Sequence, residues 1–169
     1  FIHQDVKPDN IMLGEFGEVL LLDWGSALRT ESSDATRKAL YGTPAYMSPE
    51  QARRERVDER SDVYCVGATL WHALTLRHPT WSDDPDAFWK KKRSGVIDAL
   101  DDTTRRQVPA ALLDIARRAM ALDAGDRYQH ISELADELKR YQAGQAVKAH
   151  RESVFERFAR WYRHNRRLF

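Results

Sequence analysis

The chain has 169 residues, of which 42% are hydrophobic and 31% are charged, as in an ordinary soluble globular domain with a buried core. Its formal net charge of +1 gives no general argument for nucleic-acid binding, so we expect no nucleic-acid partner. The single cysteine, Cys65, excludes an intrachain disulfide and favours a reducing, cytoplasmic compartment, and no apolar run approaches the roughly 18 residues of a membrane-spanning helix.

The first 25 residues contain two short apolar runs separated by turn-forming residues. The runs are residues 11–13 (Ile-Met-Leu) and 19–22 (Val-Leu-Leu-Leu), and residues 14–17 between them begin and end with glycine. Short apolar runs on either side of such a turn predict a β-hairpin. In an antiparallel hairpin, the start of the first strand lies beside the end of the second.

Polar side chains flank this predicted hairpin. Asn10 directly precedes its first strand, Asp23 directly follows its second, and Asp5 lies a few residues upstream. We therefore expect the three side chains to share one small volume. Two carboxylates and an amide are hard oxygen ligands, which suit a Mg²⁺ ion bound together with substrate phosphates. Each of them alone is more often a turn former or a helix cap, so the prediction depends on the joint pattern.

Two motifs carry a family resemblance. The run from His3 to Asn10 reads His-Gln-Asp-Val-Lys-Pro-Asp-Asn, and residues 23–25 read Asp-Trp-Gly. They resemble the catalytic loop and the metal-binding motif of protein kinases, in particular of bacterial Hanks-type (eukaryotic-like) serine/threonine protein kinases.

The resemblance implies a role for each matching residue. Asp5 corresponds to the catalytic base, and Lys7 to the lysine that contacts the phosphoryl group and neutralises its charge. Asn10 and Asp23 correspond to the ligands of Mg²⁺. ATP and Mg²⁺ are therefore the implied cofactors, bound by Lys7, Asn10 and Asp23.

Other residues of the two motifs are implied to have structural roles, and two of them depart from the family pattern. His3 and Trp24 are the implied supporting residues, with Trp24 in place of phenylalanine. Gln4 replaces the arginine that normally clamps a phosphorylated activation loop. Control of this protein by such a phosphate is therefore in doubt.

The next segment, residues 26–40, is polar and resembles an activation loop. It contains four hydroxyl side chains, at Thr30, Ser32, Ser33 and Thr36. We expect one of them to be phosphorylated in the parent protein, with weak control because of Gln4. The ordinary alternative is a mobile surface loop.

Residues 42–50 (Gly-Thr-Pro-Ala-Tyr-Met-Ser-Pro-Glu) resemble the substrate-docking segment of the family. The resemblance implies that Thr43 hydrogen-bonds Asp5 and Lys7, and that Glu50 forms a buried pair with Arg127. An exposed pair of the two would contribute almost nothing to stability. Small-molecule phosphotransferases related to kinases do not usually carry this segment, so a protein substrate with serine or threonine is the implied partner.

The later chain is predicted to be helical. Apolar residues recur at helical spacing on several faces of residues 58–76, which predicts a buried central helix with Ser61 as its cap. By resemblance Asp62 holds the catalytic-loop backbone, with a simple capping role as the alternative. Further helices are predicted over 87–100, after Pro109, and from a cap at Ser132 to Gly144. The basic run 90–93 either attracts acidic substrate residues or, more ordinarily, forms a solvated face.

The tail differs in composition from the rest of the chain. Residues 146–169 contain seven lysines and arginines and two glutamates, a net charge of +5, which leaves −4 on the other 145 residues. Aromatic residues lie at helical spacing among the arginines, which is typical of an amphipathic helix on an anionic membrane surface. The alternatives are a helix packed on its own domain and a disordered arm. Lipid binding would place the parent protein at the inner face of the membrane.

The fold class predicted from these features is mainly α. We expect a kinase-like C-lobe over residues 1–145, with a small β-hairpin that carries the catalytic loop and the metal-binding aspartate, and a basic juxtamembrane-like tail over residues 146–169. No G-x-G-x-x-G run occurs in the chain, so the N-lobe is expected to be absent and the chain alone to be inactive. The alternative functions are a pseudokinase or scaffold module and, from the tail alone, a membrane-associated interaction module.

Overall fold

The computed structural model describes residues 1–29, 41–154, 157–158 and 161. The four hydroxyl residues of the predicted activation loop, Thr30, Ser32, Ser33 and Thr36, lie outside the described residues. The described elements are strands β1 (Ile11–Leu13) and β2 (Val19–Leu21) and helices α1 (Pro49–Arg53), α2 (Glu59–Thr75), α3 (Pro85–Arg93), α4 (Asp102–Gln107), α5 (Ala110–Ala119) and α6 (Ile131–Gln142). The prediction of a mainly helical chain with a small hairpin is confirmed.

The hairpin pairs two three-residue strands in antiparallel register. Ile11 lies opposite Leu21 and Leu13 opposite Val19. The turn closes through a hydrogen bond from the Gly14 amide to the Glu18 carbonyl, with Gly17 at a φ of 87°. A positive φ is readily adopted by glycine, which explains why the turn forms at this position.

The hydrophobic core lies between the long helices. α2 packs against both α5 and α6, and its apolar residues on several faces contact two clusters of buried side chains. The first cluster comprises Tyr46, Tyr64, Ala68, Trp71, Val108, Leu113, Ala116 and Met120. The second comprises Val63, Ile115, Ala119, Tyr128, Leu134 and Val147.

The predicted bounds of α2 are confirmed, but its N-terminal cap differs from the sequence prediction. The cap is Asp58, whose carboxylate accepts a hydrogen bond from the Arg60 amide at 2.9 Å. Ser61, the predicted cap, lies inside the first turn, where it is buried and donates to Glu50 at 2.7 Å. The prediction of Ser61 as the cap is therefore wrong, because its hydroxyl is directed to a tertiary partner rather than to the helix end.

The helix predicted over 87–100 is confirmed only as far as Arg93, and its predicted extension to residue 100 is wrong. α3 ends at Arg93, because the Ser94 hydroxyl bonds the carbonyl of Lys90 and Gly95 adopts a φ of 66°. A separate short helix, α4, then begins behind an Asp101 cap. α6 begins at Ile131 without a side-chain cap, so Ser132 does not cap it either.

The first residues of the predicted tail pack on the helical domain. Val147 is buried in the second core cluster, and the Glu137 carboxylate accepts hydrogen bonds from the amides of Lys148 and Ala149 at 3.0 and 2.9 Å. Farther along, Val154, Arg157, Phe158 and Trp161 are helical. Within the part of the chain that the structure describes, no helix has the length and apolarity needed to cross a membrane.

Candidate functional site

Asp5 is the centre of a hydrogen-bonded cluster of polar side chains. Its Oδ1 accepts a hydrogen bond from the Thr43 amide at 2.6 Å, and its Oδ2 lies 3.1 Å from the Lys7 Nζ. The same Lys7 ammonium donates to the Thr43 Oγ1 at 2.7 Å. Burial by itself would raise the pKa of Asp5, but the hydrogen bonds from Thr43 and Lys7 and the charge of Lys7 hold it below its ordinary value. The carboxylate is therefore ionised at neutral pH.

Asn10 joins this cluster from the adjacent turn. A single 3₁₀ turn over Pro8–Asn10 directs its amide nitrogen to the Asp5 carbonyl at 2.8 Å and to the Asp5 Oδ2 at 3.3 Å. Because the nitrogen makes these bonds, the side-chain oxygen of Asn10 remains as an acceptor or ligand atom. The sequence-predicted residues Asp5, Lys7, Asn10 and Thr43 thus form one connected group.

Asp23 lies beside this group without a hydrogen bond to it. The Leu22 amide donates to the Asn10 carbonyl at 2.8 Å, so Asp23 directly follows the residue paired with Asn10. Asp23 has a φ of 60°, and its exposed carboxylate accepts a hydrogen bond from the Gly25 amide at 3.3 Å. A left-handed backbone at a non-glycine residue is uncommon and often marks a functional position.

Two oxygen groups are therefore available to a hard cation, one on Asn10 and one on Asp23. Among the described residues, no group of three or more histidine, cysteine, aspartate or glutamate side chains is arranged to hold a metal ion. A Mg²⁺ ion does not require such a group, because it usually keeps several waters and binds through one or two carboxylates plus phosphates. The donor set on the hairpin suits that cation.

Asp62 supports the Asp5 loop from the start of α2. Its two carboxylate oxygens accept hydrogen bonds from the backbone amides of His3 and Gln4 at 2.7 and 2.8 Å. Burial raises the pKa of Asp62, and these two hydrogen bonds only partly oppose the rise. The His3 ring in turn lies 3.0 Å from the Leu22 carbonyl and packs edge-on against Trp24. The loop and the end of the hairpin are thus tied to the central helix.

Gln4 makes neutral contacts in place of the charged clamp of the family pattern. It is buried, has a φ of 70°, and donates from its side-chain nitrogen to the Ser26 carbonyl at 2.5 Å. Its own carbonyl accepts a hydrogen bond from the Gln51 Nε2 at 2.8 Å. Gln51 was missed in the sequence analysis, although Ser48 and Gln51 form a capping box whose S-x-x-Q signature is visible in the sequence.

Glu50 and Arg127 form a buried ion pair beneath the docking segment. Two guanidinium nitrogens of Arg127 lie 2.6 and 2.8 Å from the two carboxylate oxygens of Glu50, and Ser61 donates to the same carboxylate. Burial acts to raise the pKa of Glu50, but Arg127 and Ser61 hold it below the ordinary value. Arg127 also donates to the carbonyls of Arg60, Ala121 and Leu122. Such full satisfaction is what a buried charge pair needs.

Comparison with known proteins finds a family model and individual relatives that match most of the chain. A family model described as "Protein kinase domain" matches residues 1–140. The serine/threonine-protein kinase PknD of Chlamydia trachomatis serovar D is 33% identical over 172 residues, which cover 85% of this chain and 18% of that protein. PknD of Protochlamydia amoebophila is 32% identical over 164 residues, which cover 86% of this chain and 17% of that protein. The chain thus spans less than a fifth of the length of these curated relatives.

Proposed function

The chain belongs to the protein kinase domain family, and from the geometry around Asp5 we propose that its parent protein transfers the γ-phosphoryl of ATP to serine or threonine side chains of proteins. The observation that carries this proposal is the cluster of Asp5, Lys7 and Thr43. An ionised carboxylate lies 3.1 Å from a lysine ammonium, and both are hydrogen-bonded to Thr43, the second residue of the docking segment. The described residues are proposed to form the C-terminal lobe of the kinase.

Each residue of the cluster has a proposed task. Asp5 orients the substrate hydroxyl and accepts its proton, which its lowered pKa permits because the carboxylate is ionised at neutral pH. Lys7 neutralises charge on the transferred phosphoryl group. Thr43 is hydrogen-bonded to both side chains and fixes their positions relative to each other. Catalysis by such a site is mostly positioning and electrostatic stabilisation.

The residues proposed to hold Mg²⁺ are Asn10 and Asp23. Asn10 keeps its amide oxygen free because its nitrogen is bonded to Asp5, and the Asp23 carboxylate is exposed. Bound there, Mg²⁺ would supply positive charge that neutralises the phosphates of ATP. The hydrogen bonds from the Asn10 nitrogen to Asp5 keep this proposed cation site next to the Asp5 carboxylate.

The isolated chain is proposed to lack activity. A kinase covers its nucleotide with a Gly-rich loop and a strand lysine, and neither pattern occurs in the sequence. The hairpin beside the cluster exposes large apolar side chains, among them Leu13 and Phe16. Exposed apolar surface of this kind marks an interaction site, which supports a second lobe in the parent protein that covers the hairpin.

The test is a phosphotransfer assay on the parent protein with an Asp5→Asn variant. We expect the rate to fall by roughly 10²–10⁴-fold, because the general base is removed. Asp9→Asn is the matched control, since Asp9 is an exposed carboxylate in the same loop, and its rate should stay close to wild type. Equal rates for the wild type and Asp5→Asn would refute the proposal. ATP binding without transfer in the wild type would instead favour the pseudokinase or scaffold alternative.

The tail supports a second partner, an anionic membrane surface. Val154, Phe158 and Trp161 are exposed, and their spacing places them on one face of a helix. Residues 146–169 carry a net charge of +5, which attracts anionic lipid. Co-sedimentation with anionic vesicles at low salt should be weakened by Phe158→Ala and not by Trp81→Ala, an exposed aromatic outside the tail. Absence of vesicle binding by the wild type would contradict the proposal.

A further inference from the structure

α3 carries a lysine where a core residue is expected. Lys92 has an exposed fraction of 0% and is the one buried residue of that helix. Its Nζ donates to the Ala45 carbonyl at 3.0 Å and lies 5.2 Å from the centroid of the Tyr64 ring. Within the described part of the chain, no carboxylate forms a salt bridge with it. Lysine is almost never fully buried without a charged partner, so this position calls for an explanation.

Packing alone does not explain the charge at this position. Burial lowers the pKa of Lys92 to about 8, so the ammonium form is disfavoured relative to solvent but still predominates at neutral pH. The titratable groups around it are Tyr64 and Cys65 of α2 and His78 of the following loop, and none of them is an anion at that pH. An apolar side chain of similar length would fill the space without the cost of burying a charge.

The atom that Lys92 contacts lies in the middle of the docking segment, residues 42–50. Near the start of this segment, Thr43 is hydrogen-bonded to Asp5 and Lys7. Ala45, two residues later, receives the Lys92 hydrogen bond, and the adjacent Tyr46 hydroxyl lies 2.6 Å from the His72 Nδ1. The backbone between Thr43 and Tyr46 is thus fixed from the catalytic loop on one side and from α2 and α3 on the other.

We propose that Lys92 is a positioning residue that fixes the Ala45 carbonyl and, through it, the path of the docking segment relative to Asp5. The ammonium donates a hydrogen bond to this carbonyl, and its charge makes that bond stronger than a neutral one. The contacts alone support the claim that Lys92 holds the backbone of residues 43–46 in place. The further claim, that this backbone positions a protein substrate, rests on the proposed function.

The test compares Lys92→Met with Lys90→Met by amide hydrogen exchange on the 169-residue chain. Lys90 is the matched control, because it lies on the same helix and is exposed. The reporters are the amides of Tyr46 and Met47, both hydrogen-bonded to the Thr43 carbonyl. We expect Lys92→Met to accelerate their exchange about tenfold and to leave the α5 amides unchanged. Unchanged exchange at Tyr46 and Met47, or equal acceleration in α5, would overturn the proposal.

Two further measurements keep the test decisive. If Lys92→Met does not fold, ¹⁵N NMR of the wild-type side-chain ammonium is expected to show slow hydrogen exchange for Lys92 alone among the lysines of α3, and fast exchange there would overturn the proposal. In the parent protein, Lys92→Met should raise the KM for the protein substrate about tenfold and leave the KM for ATP unchanged. A wild-type parent without phosphotransfer would refute the proposed function, and the exchange result would still decide the role of Lys92.

Discussion

The two sides of the polar cluster differ sharply in how they are held. On the helical side, both carboxylate oxygens of Asp62 accept backbone hydrogen bonds, and Glu50 and Arg127 are joined by two hydrogen bonds. On the hairpin side, Leu13 and Phe16 are 75% and 92% exposed. The chemistry of the cluster is therefore positioned from the helical core, while the hairpin presents an uncovered apolar face.

This contrast separates two kinds of stability. The helical side is stabilised by burial of apolar surface around α2, which this chain provides by itself. The hairpin has only three residues in each strand, and a two-stranded hairpin is marginal on its own. We infer that the end of the hairpin is ordered mainly by its bonds to the loop that carries Asp5, namely those of Leu22 to His3 and Asn10.

The largest stability effect should come from breaking the buried pair on the helical side. Arg127→Met leaves the Glu50 carboxylate buried without its partner, and we expect a loss of about 3–5 kcal/mol in the free energy of unfolding. Chemical denaturation measures this change. Arg105→Met, an exposed arginine of α4, is the control and should shift stability by less than about 0.5 kcal/mol. Equal effects of the two variants would mean that the pair does not hold the helical side together.

The same pair predicts how stability depends on acid. The pKa of Glu50 is below its ordinary value of 4.5 in the folded state, so between those two pH values the folded chain binds fewer protons than the unfolded chain. The contribution of the pair is therefore complete above about pH 4.5 and is lost as the pH falls through the folded-state pKa. The difference in unfolding free energy between wild type and Arg127→Met should shrink over that interval. A difference that stays constant from pH 7 to pH 3 would contradict this account.

A smaller loss of stability is expected when Asp62, which links α2 to the loop that carries Asp5, is substituted. Asp62→Asn replaces one carboxylate oxygen by an NH₂ group, which cannot accept the hydrogen bond from His3 or Gln4. We expect a loss of about 1–3 kcal/mol in the free energy of unfolding, with the exchange of these two amides accelerated more than that of α5. Asp136→Asn, an aspartate exposed on α6, is the matched control. If hydrogen exchange were instead accelerated equally at all amides, Asp62 would be shown to stabilise the core as a whole and not the loop.

Much of the candidate site was predictable because its residues are close together in sequence. The hairpin followed from two apolar runs and a glycine turn, and Asp5, Lys7 and Asn10 lie within one short loop. The functional roles of these residues stay predictions. The capping residue of α2 was less predictable than its bounds, because several polar residues near its start are suitable caps and the position of Glu50 decides that Ser61 is used elsewhere.

The positioning contacts from distant elements were not predictable in the same way. Lys92 belongs to a run of four basic residues, which in a sequence is typical of a solvated face. Only the packing of α3 against the docking segment selects one of the four for burial. The end of α3 at Arg93 was missed for a related reason, since a serine back-bond and one glycine with positive φ override the helical pattern.

The smallest change in the free energy of unfolding of the isolated chain is expected from truncating an apolar side chain of the hairpin. This substitution compares the hairpin side with the helical side most directly. Leu13→Ala on the hairpin should change the free energy of unfolding by less than about 0.5 kcal/mol, because its side chain already contacts solvent. Leu113 in α5 is only 2% exposed, so the same Leu→Ala substitution there should lower the free energy of unfolding by about 2–5 kcal/mol. In the parent protein the two values should converge if a second lobe covers the hairpin, since Leu13 would then also be buried. A Leu13→Ala effect that stays near zero in the parent would mean that this apolar face remains open, and the proposal of a covering lobe would fail.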